Sequence, residues 1–313
     1  MTDSLRIVFM GTPDFGLETM KALARAGHKI AAVVTSPDKP KGRGLKLTPP
    51  PVKDYALSQG IETLQPERLR DEAFMSRMRS ISPDLIVVAA YGKILRKELL
   101  DMPRFGCLNV HGSLLPAYRG SSPINWAIIN GEPRTGVTIM RMDEGLDTGP
   151  ILLSRAIDIG QEETAGELYD RLAILGGGLI VEAIAGLIAG TLSEIPQDSS
   201  RATLAPMLHK EDGKIDWRIS ASKLVDRIRG TNPWPGAFTM LSGQVLKIHK
   251  ARAAKVASAA VPGSVIDCCP NPVVSTGGGG LEILEFQMQG KKRMSACEFL
   301  RGCPLPSGTL LGE

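Results

Sequence analysis

In "LNVHGSLLPAYRGSSPINWAI" (residues 108–128), Asn109 and His111 stand two residues apart at the end of an apolar run that breaks into a Gly/Ser/Pro-rich turn. Alternate side chains of a strand share a face, so this spacing aims an amide and an imidazole together beyond the strand end. A carboxylate is available in "RMDEGLDTGPI" (141–151), which holds Asp143, Glu144 and Asp147, with Gly145 and Gly149 to permit a sharp excursion. Enough chain separates Asp147 from His111 for a helix and a strand to return to the same edge. An amide, an imidazole and a carboxylate suit acyl transfer to an amine. A donor at the developing oxyanion is worth about 10²–10³ in rate, and a positioned acid or base contributes typically about 10²–10⁴. An α-amino group, with a pKa around 8, is already a nucleophile near neutral pH. No catalytic Ser or Cys is then required, and the chain has no G-x-S-x-G elbow. Cys107 shares the face of Asn109 but lies deeper in the strand, which argues against a thiol nucleophile.

These groups need a sheet to position them. "LRIVFM" (5–10), "IAAVVT" (30–35), "DLIVVAA" (84–90) and "CLNVH" (107–111) read as buried strands, joined by amphipathic stretches such as "DFGLETMKALARAG" (14–27), with Asp14 as its cap and Gly27 as its stop. The alternation predicts an α/β domain built on a parallel, Rossmann-like sheet, whose ligands bind outside the carboxyl ends of the strands. "TGVTIMRM" (135–142) and "GPILLSRAIDI" (149–159) add two strands, and 163–190 a long helix or helix pair. "GTPDFG" (11–16) lacks G-x-G-x-x-G, and Pro13 removes a backbone donor, so no dinucleotide is expected.

After Gly190 the chain becomes polar and proline-punctuated, and residues 191–208 read as an interdomain linker. Short strand-like runs beyond it, preceded by a helix over 220–230, predict a small OB-like β-barrel. The expected organisation is a catalytic domain over 1–190, the linker 191–208 and a barrel over 209–313. From residue 205 onward 14 Lys and Arg face 9 Asp and Glu, whereas residues 1–204 hold 23 and 24, so a polyanionic partner suits the C-terminal part. A second basic feature is "SPDKPKGRGLKLTPPPVK" (36–53), where Lys39, Lys41, Arg43 and Lys46 oppose the single Asp38 across residues 38–46. It follows a strand end and is too long for an ordinary connection, so it reads as an irregular functional arm fitted to a phosphate backbone.

"LNVHGSLLPAYRGSSPINWAI" followed by "GVTIMRMDEGLDTGPIL" resembles the folate-dependent formyltransferases. That resemblance implies a formyl group supplied by 10-formyltetrahydrofolate and catalytic roles for Asn109, His111 and Asp147. It also assigns Ser113, Leu114, Leu115 and Pro116 to folate binding. The 36–53 insertion resembles the branch of the family whose acceptor is initiator methionyl-tRNA, with Arg43, beside Lys39, Lys41 and Lys46, at the acceptor end and the basic barrel on the outer side of the stem. The likeness includes "TNPWPGAF" (231–238) and extends over nearly the whole chain. A small amine such as an amino sugar or nucleotide is the alternative acceptor, and hydrolysis of the folate the alternative reaction.

One His beside a flexible acidic loop makes a poor fixed metal site, and the five cysteines lack CxxC spacing, so no metal is expected. Glycines interrupt the apolar stretch 176–192, and the N-terminus reads as a strand, so neither a membrane span nor a signal peptide is expected. A cytoplasmic monomer follows from these readings.

Overall fold

The computed structural model describes residues 4–41, 46–256, 260–268 and 270–312. It divides into two compact units. The first comprises Met1–Pro123, Thr135–Ile157 and Tyr169–Pro206, and the second comprises Ile124–Arg134, Asp158–Leu168 and Met207–Glu313. Of the stretch 191–208 read as an interdomain linker, residues 191–206 fall in the first unit and 207–208 in the second.

The chain opens with β1 (Arg6–Gly11), α1 (Asp14–Arg25) and β2 (Lys29–Val34). Ile7 to Met10 are all fully buried, the continuous apolar character of a strand covered on both faces. Phe15, Thr19, Met20 and Leu23 place one stripe of α1 in the core. Pro13 takes the cap position of this helix, so Asp14 lies in its first turn and not at the cap. There follow β3 (Lys39–Lys41), β4 (Lys46–Thr48), α2 (Pro51–Ser58), β5 (Thr63–Leu64), α3 (Glu72–Ile81) and β6 (Leu85–Ala89). Then come α4 (Lys97–Leu100), β7 (Cys107–His111), β8 (Arg119–Gly120), α5 (Pro123–Ile129), β9 (Arg134–Arg141), β10 (Ile151–Asp158), α6 (Ala165–Ile188) and β11 (Leu204–Ala205).

The main sheet has the order β10-β9-β7-β6-β1-β2-β5. Strands β5, β2, β1, β6 and β7 are mutually parallel, as a Rossmann-like sheet requires. Strand β9 departs from that pattern and runs antiparallel to β7, pairing His111 with Thr138 and Leu108 with Arg141. The only helix between the two strands is the seven-residue α5, which advances only ~10 Å, too little to carry the chain back along the sheet as a crossover helix does. The basic arm is not irregular where it is described: β3 and β4 form an antiparallel hairpin, with Lys39 opposite Thr48 and Lys41 opposite Lys46.

The 163–190 stretch forms the single helix α6, long and apolar enough by length and composition to cross a membrane. Leu172, Leu179, Ile180, Ala183 and Ile184 are buried along it. Gly176 serves close approach, since a Cβ there would lie 2.7 Å from Val110 of β7. The helix therefore covers the Val110 side of β7, and Asn109 and His111 project from the opposite face.

In the second unit α7 (Ala221–Gly230) precedes β12 (Ala237–Leu241), β13 (Gln244–Ala254), β14 (Val265–Asp267), β15 (Val273–Ser275), β16 (Gly280–Met288), β17 (Met294–Ser295) and α8 (Ala296–Gly302). The strands pair antiparallel in the order β12-β13-β16-β15-β14, with β17 beside β16. Register shifts around Lys250 bend the long β13. Alternate residues Leu246, Ile248, Leu281 and Ile283 fill the core together with Leu224 and Ile228 of α7. Phe286 is fully buried and stacks on Phe299 at 4.5 Å between ring centroids. Phe286→Ala should lower the unfolding free energy by about 3–5 kcal/mol, measured by urea denaturation of the full chain.

Candidate active site

Asn109 lies mid-strand in β7 and His111 at its end, and their shared face meets the turn that carries Tyr118 and Gly120 and the loop that carries Asp147. Asp147 comes from the 142–150 connection between β9 and β10. Its Oδ1 accepts from Asn109 Nδ2 at 3.3 Å, its Oδ2 accepts from the Gly120 N–H at 2.8 Å, and His111 Nδ1 lies 3.6 Å from Oδ2. The three groups distant in sequence therefore meet.

The route differs from the expected one. Because β9 is antiparallel, Arg141 ends opposite Leu108, at the far end of β7 from His111. The connection folds back along the strand face, and the carboxylate does not arrive from a neighbouring carboxyl end. Asp147 has φ 51°, the left-handed region that Asp tolerates better than most side chains. Asp143 shapes the loop by accepting from the Gly145 N–H at 3.0 Å and from Thr148 Oγ1 at 2.7 Å. Of the three acids, Asp143 is thus spent on the turn and Asp147 is the one at the imidazole.

His111 is buried, with Nε2 2.9 Å from the Tyr118 carbonyl. A carbonyl only accepts, so Nε2 carries the proton and Nδ1 is the ring position open to proton uptake. Gly120 has φ 122°, and a Cβ there would lie 2.7 Å from the Ala205 carbonyl of β11, the strand paired with β8. Cys107 is buried beneath the site, donating to the Leu99 carbonyl at 3.5 Å, and burial pushes its thiol up to about 12. It is a packing residue.

Along 113–116 the side chains divide. Ser113 is fully buried and donates to the Ala117 carbonyl at 2.6 Å, and Leu115 is buried, whereas Leu114 and Pro116 are half-exposed. The Leu115 N–H donates to Thr138 Oγ1 at 3.1 Å, and that hydroxyl donates to the Ser113 carbonyl at 2.7 Å, so β9 holds this turn.

Arg43 lies outside the described residues, as do the side chains of Lys41 and Lys46; Lys39 is exposed on β3. Asp38, the acid at the arm's base, is engaged by Lys53 Nζ at 2.8 Å and by Gln65 Nε2 at 2.8 Å, hydrogen bonds that hold its carboxyl below the usual range. Its charge is therefore answered from α2 and the segment after β5. Among the described residues no group of three or more His, Cys, Asp or Glu is placed to hold a metal ion.

The sequence profile described as Formyl transferase matches residues 5–184, and that described as Formyl transferase, C-terminal domain, matches residues 207–304. A methionyl-tRNA formyltransferase of Lachnospira eligens is 50% identical over 99% of this chain and 100% of its own length. The chain belongs to the formyl transferase family. Other methionyl-tRNA formyltransferases of the family, from Pelobacter propionicus and Geobacter metallireducens, are 50% and 48% identical over 99% of this chain and 97% and 99% of theirs. Solved formyl transferase folds extend the likeness at lower identity. The N-formyltransferase from Helicobacter canadensis, in complex with folinic acid and dTDP-3-aminofucose, superposes with a TM-score of 0.68 at 17% identity, covering 93% of this chain and 100% of that one. HypX from Aquifex aeolicus, with tetrahydrofolic acid, does so with a TM-score of 0.65 at 16% identity over 95% of this chain, which spans about half of it, 47%.

Two outcomes follow from the geometry. Gly120→Ala should destabilise the chain by about 1–3 kcal/mol through backbone strain and lower kcat as the Gly120 N–H leaves Asp147, read by thermal melts and initial rates. Iodoacetamide at pH 8 should leave Cys107 unmodified in the folded protein and modify it after denaturation, while the exposed Cys297 reacts in both states, as peptide mass spectrometry would report.

Proposed function

We propose that this formyl transferase moves the formyl group of 10-formyltetrahydrofolate to the α-amino group of initiator methionyl-tRNA, with Asn109, His111 and Asp147 as its catalytic residues. The observation that carries the reading is the Asp147 carboxylate held between the Asn109 amide, at 3.3 Å, and the His111 imidazole, at 3.6 Å. Relatives about 50% identical over the full length bear the name methionyl-tRNA formyltransferase, which favours tRNA over a small amine as acceptor.

The roles follow from the donors and acceptors. Asn109 uses one N–H on Asp147 and offers the other to the formyl oxygen as it gains charge. His111 Nδ1 takes the proton lost when the amine nitrogen bonds the formyl carbon, and Asp147 stabilises the resulting imidazolium. His111 then returns that proton as the bond from the formyl carbon to the folate nitrogen breaks, so charge and protons balance over the cycle. Leu114 and Pro116 offer apolar faces to the flat heterocycle of the folate, and Ser113 and Leu115 hold their turn in shape. The bound folate supplies the formyl group and the leaving nitrogen. Lys39, Lys41, Arg43 and Lys46 of the basic 36–53 stretch would engage the acceptor end of the tRNA. The division into a catalytic part over 1–190, a connection over 191–208 and a tRNA-holding part over 209–313 belongs to the same reading, as does a cytoplasmic monomer with no metal and no membrane partner.

His111→Ala and Asp147→Ala should each lower kcat by about 10²–10⁴, with affinity for methionyl-tRNA within about threefold of the parent enzyme. Equal losses of rate and binding would make these residues structural. Rapid formylation of free amino sugars with no tRNA affinity would assign the small-amine reaction, and formate release without any acceptor would assign hydrolysis.

A further inference from the structure

Asp147 stands in a left-handed backbone conformation on a loop whose internal hydrogen bonds, from Gly145 and Thr148 to Asp143, leave its own peptide unsecured. The support comes from outside the loop. Gln197 Nε2 donates to the Asp147 carbonyl at 2.9 Å and to the Gly149 carbonyl at 2.7 Å, bridging the two sides of the turn. Its Oε1 accepts from Arg119 Nε at 3.1 Å and Nη2 at 2.7 Å. Both N–H groups and both lone pairs of the amide are used, and the partners permit one orientation, because carbonyls only accept and a guanidinium only donates.

Arg119 is buried and lies on β8, immediately before Gly120, whose N–H donates to Asp147 Oδ2. A closed circuit results: Asp147 side chain, Gly120, Arg119, Gln197 and back to the Asp147 backbone. The same segment fixes the imidazole. Thr203 Oγ1 accepts from the Tyr118 N–H at 2.8 Å and the Thr203 carbonyl from the Arg119 N–H at 2.8 Å, so the Tyr118 carbonyl on His111 is held from residues 197–205 as well.

We propose that Gln197 is a positioning residue for formyl transfer, oriented by Arg119, that sets the Asp147 carboxylate against Asn109 and His111. It works through Asp147 and touches neither substrate. The inference rests on the catalytic reading of Asp147 given above.

The test uses the full chain and measures kcat, both KM values and melting temperature for Gln197→Ala, Gln197→Glu, Asp147→Ala and the Gln197→Ala/Asp147→Ala pair. Gln197→Glu keeps the size and the Arg119 contact, removes the two N–H donors and sets a charged oxygen against the two carbonyls they served, so it reports the loop contact if the alanine variant melts early. Both Gln197 variants should lower kcat at least about tenfold with each KM within about threefold. In the Asp147→Ala background the Gln197 change should cost less than about twofold more, because residues acting as one unit are not additive. Multiplying losses, or a Gln197→Glu enzyme at parental kcat beside a crippled Asp147→Ala enzyme, would overturn the proposal. An active Asp147→Ala enzyme would instead overturn the catalytic reading on which it stands.

Discussion

The arrangement of this molecule turns on one half-buried carboxylate that must be satisfied by donors. Asp147 finds them in the Gly120 N–H at 2.8 Å, the Asn109 amide at 3.3 Å and the His111 ring at 3.6 Å. Such a group costs free energy to desolvate unless paired, and its partners come from two segments, Asn109 and His111 from β7 and Gly120 from β8. Satisfying it therefore orients the amide, places a negative charge beside the imidazole and ties β8 to β7. A polar group that the fold cannot leave unpaired thus organises the backbone around it.

The supporting structure is largely backbone. Strand β11 pairs with β8 through Leu204–Arg119 and Ala205–Gly120, and Ile195 bridges Ile151, so the polar stretch after α6 is built into the first unit. Main-chain pairing uses N–H and C=O groups that every residue but proline carries. It leaves no side-chain period behind, which is why strand β11 and the Ile195 bridge could not be read within "TLSEIPQDSSRATLAPML" (191–208).

The elements with a strong side-chain pattern were legible. Continuous apolar runs marked β1, β2, β6 and β7 to within a residue, and the spaced apolar positions of 14–27 marked α1. Short elements without such a pattern were missed. Helices α2, α3 and α5 and the two-residue β5 take their place from the sheet they pack on, and the β3–β4 hairpin sits in a stretch whose Gly, Pro and Lys content argued for an irregular loop. In the site, alternation along β7 was enough to pair Asn109 with His111 on one face. The family resemblance, and not the loop's own residue pattern, set Asp147 apart from Asp143, four residues away, and nothing marked Gln197 at all.

The sequence by itself determined the chemical inventory and its local presentation: an amide and an imidazole on one strand face, an acid-bearing glycine loop, and a first half of buried strands joined by helices. It did so because side-chain periodicity and turn residues act over a few positions. The tertiary structure alone decided that β9 runs antiparallel, that the acid loop therefore folds back along β7 from its far end, and that Arg119 and Gln197 brace it. Those choices depend on register between distant segments and on which donor meets which acceptor, and both are settled only when the whole first unit packs.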